Sequence, residues 1–332
     1  MQCPLWVESG HWLMLSPAAD AACLGLHSNG EITMRIVVAA LAWMAMTSSG
    51  YAHETSAPVA VVTDQRSDAG HPPRLMQARY STGGVEAPAR WFVAGGPGPH
   101  PTMLLLHGFP GTELNLDLAR AVQRAGWNVM AIHYRGVWGA PGQFSFTHTI
   151  EDARAALRWL RQPARKGQVD TSRIVVLGHS MGGFDTVMIG DDAAVAGFVT
   201  ISAADLGAAL GPLKTSKARE AARSEWEEDT SFTNMSYDAM VDEGLRNLRT
   251  WDWRRNAAEM ARRPVLVIDS NDGLEKNGDA IVAAVSQAGG PVPRRVKFET
   301  DHSYNDHRIA LASVIVTWLV DTFSASTKLS TR

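Results

Sequence analysis

The sequence predicts an α/β protein with a mostly parallel central sheet that is covered by helices on both faces. Short apolar runs rich in β-branched residues alternate with longer segments of helical periodicity. Several of these runs are continuously apolar, as in strands buried on both faces. The chain has 332 residues, of which 45% are hydrophobic, enough for one large domain or two small ones. Strands that alternate with helices form parallel sheets because a parallel connection needs a crossover of about a dozen residues.

The predicted elements follow one another from residue 74 onward. Strands are predicted at 76–80, 90–93, 102–106, 128–133, 174–177, 197–201, 265–268 and 295–298. Helices are predicted at 116–125, 150–160, 184–189, 279–288 and 309–323. We expect residues 81–88 to join the first two strands as a loop, because they contain two glycines and a proline.

One stretch of about sixty residues, 203–263, has no strand pattern where a direct crossover would be far shorter. It is rich in charge, alanine and tryptophan, and we expect a helical insertion over the carboxyl edge of the sheet, where ligands bind. Trp226, Trp251 and Trp253 are candidates for a substrate pocket. Alternatively, they anchor the insertion to the domain. An acidic cluster at 225–229 could hold a substrate amine or be a solvated helix end.

The start of the chain is predicted to be a targeting segment. Met34 and Arg35 open a basic region, an apolar stretch follows, and small residues lead to Ala52. This pattern predicts a signal peptide at 34–52, with residues 1–33 as an upstream extension; a buried helix is the alternative. We therefore expect a periplasmic or secreted protein.

The remainder is predicted to comprise a linker at 53–73 and one domain at 74–325. Cys3 and Cys23 both precede the predicted cleavage point, so the mature chain would contain neither disulfides nor a thiol nucleophile. The net charge is only −3 and there is no basic block, which argues against a nucleic-acid partner. No apolar run reaches the roughly 18 residues of a membrane span. No cluster of metal ligands is evident, and the oligomeric state is left open.

The strongest motif is the nonapeptide at 175–183, V-V-L-G-H-S-M-G-G. It places G-x-S-x-G, with Ser180 at its centre, between an apolar run and a helical segment. A serine hydroxyl needs such a sharp turn to be exposed to a base and set beside N–H groups that hold an oxyanion. Side chains at Gly178 and Gly182 would collide in the close packing of strand and helix.

The order of motifs resembles the α/β-hydrolase fold, from about residue 74 to 325. His-Gly-Phe-Pro at 107–110 follows the third strand, and the G-x-S-x-G turn follows the fifth; an aspartate and then a histidine come after later strands. The resemblance implies Ser180 as nucleophile and an oxyanion hole made by the N–H groups of Phe109 and Met181. It also implies a structural turn at 134–136. The serine at position 180 argues against the aspartate chemistry of epoxide hydrolases and dehalogenases.

Two positions in the triad have rivals. Asp272 and Asp269 both lie near the end of the strand at 265–268, and the resemblance favours Asp272 as the acid. His302 follows the last strand and is favoured as the base over His307, which can cap the final helix.

Together with the predicted signal peptide, the resemblance implies an exported serine hydrolase that cleaves small or medium carboxylic esters through an acyl-enzyme, without a cofactor. A peptidase, amidase or thioesterase with the same triad is the alternative, and a non-catalytic binding protein is a further one.

Overall fold

The computed structural model describes residues 57–65 and 68–323, so the predicted segments 1–33 and 34–52 lie outside it. Over the described range the chain forms an eight-stranded sheet of order β1-β2-β4-β3-β5-β6-β7-β8. The strands are β1 (Arg74–Thr82), β2 (Val85–Val93), β3 (His100–Leu106), β4 (Asn128–Ile132), β5 (Val169–His179), β6 (Gly197–Ile201), β7 (Val265–Asp269) and β8 (Arg294–Lys297). β2 is antiparallel to β1 and β4, and the other neighbouring pairs are parallel. The predicted mostly parallel α/β sheet is confirmed.

Helices cover both faces of this sheet. They are α1 (Val59–Val62), α2 (Leu116–Arg124), α3 (Phe146–Leu160), α4 (Met181–Met188), α5 (Leu206–Leu210), α6 (Ser216–Thr230), α7 (Tyr237–Asn247), α8 (Trp253–Ala258), α9 (Glu275–Gln287) and α10 (Arg308–Phe323). In β3, Leu104 and Leu106 pack in the core beneath α3, α4 and α9, whereas Met103 and Leu105 face α2 and α10. None of the described helices has the length and apolarity needed to cross a membrane.

The first two strands are longer than predicted, and the predicted loop at 81–88 was wrong. Only Gly83 and Gly84 turn the chain, both with positive φ, and β2 already begins at Val85. Glycine adopts this conformation without steric cost, so two residues suffice for the hairpin. The polar and proline residues that suggested a loop lie instead in a strand with one partly exposed face.

Three other elements begin earlier in the chain than predicted. α3 begins at Phe146, not at residue 150, because the hydroxyl of Ser145 accepts a hydrogen bond from the N–H of His148 and caps the helix. β5 begins at Val169 and α9 at Glu275, each several residues before the prediction. In all three cases the apolar pattern identified only the later part of the element, although the earlier part also contains buried residues such as Phe146, Val169 and Asn277.

The insertion at 203–263 folds as α5 to α8 and packs on the loop that leaves β4. The N–H groups of Phe146 and Thr147 donate to the buried carboxylate of Glu243, at 3.0 and 2.8 Å. A carboxylate is favourable at this place because the N-terminus of α3 carries unpaired N–H groups and a positive dipole end. Asn234 also accepts from the N–H of Phe144, at 2.8 Å. The insertion therefore lies against a loop at the carboxyl edge of the sheet.

The segment predicted as a linker contains the four-residue helix α1. The guanidinium of Arg124 donates to the carbonyl oxygens of Ala60 and Val61, at 2.7 and 3.0 Å. Part of the predicted linker is thus held against α2.

Candidate active site

Ser180 lies at the turn between β5 and α4 in a strained backbone conformation. Its φ is 56° and its ψ is −116°, a region that non-glycine residues rarely adopt. Its N–H donates to the carbonyl of Ile201 at 2.9 Å, and its carbonyl accepts from the N–H of Ala204 at 3.0 Å. The loop after β6 therefore holds the strained turn on both sides, as is common at functional sites.

The glycines of this turn are required by close backbone packing. A Cβ at Gly178 would overlap the backbone of Gly182, and a Cβ at Gly182 would overlap the carbonyl of Leu106. The predicted collisions at both positions are confirmed. On the opposite side, a Cβ at Gly108 would lie 2.9 Å from the Cβ of Ser180. The loop after β3 therefore comes within backbone contact of the serine.

Asp272 and His302 form a hydrogen-bonded pair. The Nδ1 of His302 lies 2.7 Å from the Oδ2 of Asp272, and the N–H of Leu274 donates to the other carboxylate oxygen at 2.9 Å. The aspartate side chain is 6% exposed and the imidazole 39%. Burial alone would raise the pKa of Asp272, but the hydrogen bond and charge of His302 outweigh it and lower the pKa to about 2. The carboxylate is therefore ionised at neutral pH, and the imidazole is oriented through Nδ1.

His179, the residue before the serine, holds the backbone of His302. Its Nε2 donates to the His302 carbonyl at 2.9 Å, and the centroids of the two imidazole rings lie 4.8 Å apart. Burial, and then the charge of His302, lower the pKa of His179 to about 3, so this imidazole is neutral and can donate from only one nitrogen. Among the described residues, no hydrogen bond joins the Ser180 hydroxyl to His302; the turn and the histidine meet through this backbone contact.

The rival residues have other partners. Asp269 accepts from the Nε of Arg295 at 2.7 Å, at the end of β7. His307 lies 2.8 Å from the neighbouring carboxylate of Asp306, which is largely exposed. Within the described chain, neither Asp269 nor His307 is hydrogen-bonded to Asp272 or His302.

The N–H groups of Phe109 and Met181 lie in the two loops that meet at Ser180. Met181 is the first residue of α4, where backbone N–H groups have no partner within the helix. In the described part of the chain, neither N–H donates to a backbone carbonyl. The ring of Phe109 is stacked on Phe144 with 5.5 Å between centroids and contacts the edge of Phe146 at 5.7 Å. These contacts fix the loop that carries the first N–H.

Comparison with known proteins identifies the family. Residues 103–314 match the model of the alpha/beta hydrolase family. The chain belongs to the alpha/beta hydrolase family. A stretch of 106 residues, 31% of this chain, is 37% identical to the alpha/beta hydrolase domain-containing protein WAV2 of Arabidopsis thaliana. That stretch covers 33% of the plant protein, so the alignment spans about a third of that relative.

Solved structures of esterases share the fold of this alpha/beta hydrolase. The esterase of Pyrobaculum calidifontis is 19% identical, with a TM-score of 0.56 over 77% of this chain and 88% of that one. Brefeldin A esterase, a bacterial protein, is 19% identical, with a TM-score of 0.53 over 78% of each chain. The carboxylesterase EstE1, from a metagenomic library, is 18% identical, with a TM-score of 0.54 over 77% and 91%. The family model thus identifies an alpha/beta hydrolase, and these solved structures share its fold.

The tryptophans of the insertion contact the core of this hydrolase. Trp251 is 3% exposed and lies edge-on to Phe184 of α4 at 5.2 Å. Trp253 is 5% exposed and donates from its ring nitrogen to the carbonyl of Asn277 at 3.1 Å. Trp226 is partly buried against the same core. These contacts favour the anchoring alternative over the predicted pocket lining.

Sequence reasoning missed a polar cluster beside Asp272. The hydroxyl of Ser202 lies 3.0 Å from the hydroxyls of both Ser270 and Tyr304. Ser202 and Tyr304 have positive φ, 42° and 57°. No sequence signal marks these residues, because ordinary Ser and Tyr are common after strands. In the described range, no group of three or more His, Cys, Asp or Glu side chains is placed to hold a metal ion.

Proposed function

We propose that this hydrolase is a serine esterase that cleaves carboxylic esters through an acyl-enzyme on Ser180. The Asp272–His302 hydrogen bond of 2.7 Å, next to the strained serine turn, is the observation that carries the proposal. A buried carboxylate that orients a partly exposed imidazole is a common arrangement for activating a neighbouring nucleophile. The chain order of serine, aspartate and histidine is also that of the family.

In the proposed mechanism, His302 removes the proton of the Ser180 hydroxyl as its oxygen attacks the ester carbonyl. The N–H groups of Phe109 and Met181 stabilise the resulting oxyanion, each contributing roughly 3 kcal/mol. The imidazolium then protonates the departing alcohol, and the acyl group remains on the serine. Water, deprotonated by His302, attacks the acyl carbon and releases the carboxylic acid. Asp272 stabilises the imidazolium in both halves and stays ionised.

A fluorophosphonate probe combined with p-nitrophenyl ester hydrolysis tests the proposal. We expect wild type to be labelled on the peptide that contains Ser180 and to hydrolyse short esters. Ser180→Ala should lose both properties while keeping its circular dichroism spectrum. Ser172→Ala, at an exposed serine in the same strand, should retain both. Labelling elsewhere, or undiminished hydrolysis by Ser180→Ala, would overturn the assignment.

The same geometry would serve a peptidase, an amidase or a thioesterase, which remain alternatives. Comparing p-nitrophenyl esters with aminoacyl naphthylamides and acyl thioesters separates these activities. We expect esters to have the highest kcat/KM. Ligand binding without turnover of any of the three would instead favour a binding protein.

We also propose that residues 34–52 direct export, with cleavage after Ala52. The pattern of basic, apolar and small residues supports this proposal. N-terminal sequencing of the protein recovered from the periplasm or medium should read from His53. A different start, or protein found only in the cytoplasm, would contradict it.

A further inference from the structure

A groove of about 480 Å³ opens beside the loop that carries Phe109. It lies between the outer strands β1 and β2 and the loop that leaves β4, and none of its residues takes part in the proposed acyl transfer. Its lining includes Arg79, Pro88, Arg90, His133, Trp138 and Pro141. Its volume is within the range of about 300–1,000 Å³ that small-molecule pockets occupy.

Basic side chains share one face of the sheet in this groove. Arg79 pairs with Pro88 in the β1–β2 register, and the N–H of His133 donates to the Pro88 carbonyl at 3.0 Å. These three residues therefore form a row across β1, β2 and the residue that follows β4. Arg90 is two residues from Pro88 in β2, so its side chain is on the same face. Its guanidinium donates to the Nε2 of His133, which shows that the side chains meet.

The guanidinium of Arg90 has no acidic partner in the described chain. Nearby Arg135, by contrast, pairs with the carboxylates of Glu151 and Asp152 at 2.7 and 2.6 Å. Burial, and then the charge of Arg90, lower the pKa of His133, so this imidazole is neutral and accepts the hydrogen bond without balancing the charge. A half-buried guanidinium with unused donors is suited to bind a carboxylate.

Trp138 connects the groove to the proposed oxyanion loop. Its ring nitrogen donates to the carbonyl of Pro110 at 3.0 Å, and its ring is stacked on Phe232 of the insertion at 4.5 Å. It is 51% exposed and has a φ of 50°, which is strained for a bulky residue. A strained, exposed aromatic ring that is held on two sides provides a preformed apolar surface for a ligand.

The sheet order sets the distance from this groove to the serine. β5, which leads to Ser180, is separated from β4 by β3, and β2 lies beyond β4. With strands about 4.8 Å apart, the groove extends from roughly 10 Å from the serine at β4 to roughly 19 Å at β1, the strand of Arg79. We propose that the groove binds the carboxylate of an acidic ester, which contacts Arg90 and Arg79 while its chain lies over Trp138 and its ester carbonyl reaches Ser180. This inference rests on the proposed esterase function.

Mono-p-nitrophenyl esters of straight-chain dicarboxylic acids test the inference, each compared with its counterpart in which the free carboxylate is methylated. At the chain length that spans the gap, we expect wild type to have at least about a tenfold higher kcat/KM for the acidic ester than for its methylated counterpart. This is the preference that one charge-assisted hydrogen bond would give. Arg90→Gln should reduce kcat/KM for that ester at least about tenfold more than for the methylated one. The preference should be smaller for chains too short to span the gap.

Arg294→Gln is the matched control, because it removes the same charge from β8 at the opposite edge of the sheet. It should leave both esters unaffected. Equal rates for the two esters in wild type, or equal losses in the two arginine variants, would overturn the inference.

A binding measurement separates this inference from the esterase proposal. Calorimetry with Ser180→Ala and the monoamide of the same diacid requires no turnover. Binding that is lost in Ser180→Ala combined with Arg90→Gln would support the groove even if wild type hydrolysed no ester. Turnover of neutral esters without such binding would support the esterase alone.

Discussion

Replacement of Asp272 by asparagine provides a sharp test of the proposed triad. The carboxylate accepts a hydrogen bond from the Nδ1 of His302, so the proton is on Nδ1 and Nε2 is free to act as a base. An asparagine amide can donate as well as accept, and it can therefore stabilise the opposite tautomer. In that tautomer Nε2 carries the proton and cannot take one from Ser180.

The magnitude follows from the Asp272 pKa, which is lowered from 3.8 to about 2. That lowering corresponds to about 2 kcal/mol in favour of the ionised carboxylate beside the imidazole. Loss of this charge would slow the reaction by at most about thirtyfold, because Ser202 and Leu274 also contribute to the lowering; the wrong tautomer would extend the loss to about 10³–10⁴-fold. Because the folded-state pKa is the lower one, the carboxylate stabilises the fold above its ordinary pKa. This contribution is lost as the pH falls from 3.8 toward 2.

The assay is kcat for a short p-nitrophenyl ester at neutral pH, with circular dichroism to verify folding. Asp269→Asn is the control, because this aspartate is the last residue of β7, just before the turn that carries Asp272, but pairs with Arg295. We expect it to lower the melting temperature and to retain activity within about tenfold, since no tautomer depends on it. If Asp272→Asn kept more than a tenth of wild-type kcat, or if Asp269→Asn were the more damaging change, the assignment of the acid would be refuted.

Three further predictions concern the scaffold. Gly182→Ala should prevent folding or lower the free energy of unfolding by several kcal/mol, because the added Cβ would overlap the backbone of Leu106. The control Gly167→Ala adds a Cβ in open space, and in urea titrations it should change the free energy of unfolding by less than about 0.5 kcal/mol. Arg135→Gln should lower the free energy of unfolding by about 3–5 kcal/mol, because it leaves the fully buried Asp152 without its guanidinium partner. A melting temperature within 2–3 °C of wild type corresponds to a change on the order of 1 kcal/mol and would contradict this expectation. Burial raises the pKa of Asp185 to about 8, so this group favours folding at low pH and its contribution falls from pH 4 to pH 8. Asp185→Asn should therefore gain stability over wild type as the pH rises across that range, and a pH-independent difference in melting temperature would refute the assignment.

Local sequence signals were sufficient for the parts of the site that lie in continuous motifs. The G-x-S-x-G turn specifies its own geometry, since two glycines are needed where the backbones of β5, α4 and β3 meet. The choice of Asp272 over Asp269 and of His302 over His307 required the resemblance to a family, because both aspartates and both histidines have suitable sequence positions. The structure separates them by contacts that no spacing rule contains, Asp272 with His302 and Asp269 with Arg295.

Side chains of the same type had different surroundings for reasons that lie outside any local pattern. Trp251 and Trp138 are both aromatic residues near the proposed site, yet one is buried against α4 and the other is half exposed at the groove. Trp251 belongs to the insertion and contributes apolar area that the insertion needs in order to pack. Trp138 is held outward by a hydrogen bond to Pro110, a residue 28 positions earlier in the chain, and by Phe232, far later.

The same reasoning explains why the basic groove was not predicted. Arg79 lies in β1, Arg90 in β2 and His133 directly after β4, and only the β1-β2-β4 order and its register place them on one face. A shift of one residue in either strand pair would turn one of these side chains to the opposite face. The sequence predicted eight strands but not which were neighbours, and it treated residues 81–88 as a loop, which removed Pro88 from the register that aligns the row. The proposed substrate groove is therefore encoded in strand pairing, whereas the proposed nucleophile is encoded in a pentapeptide.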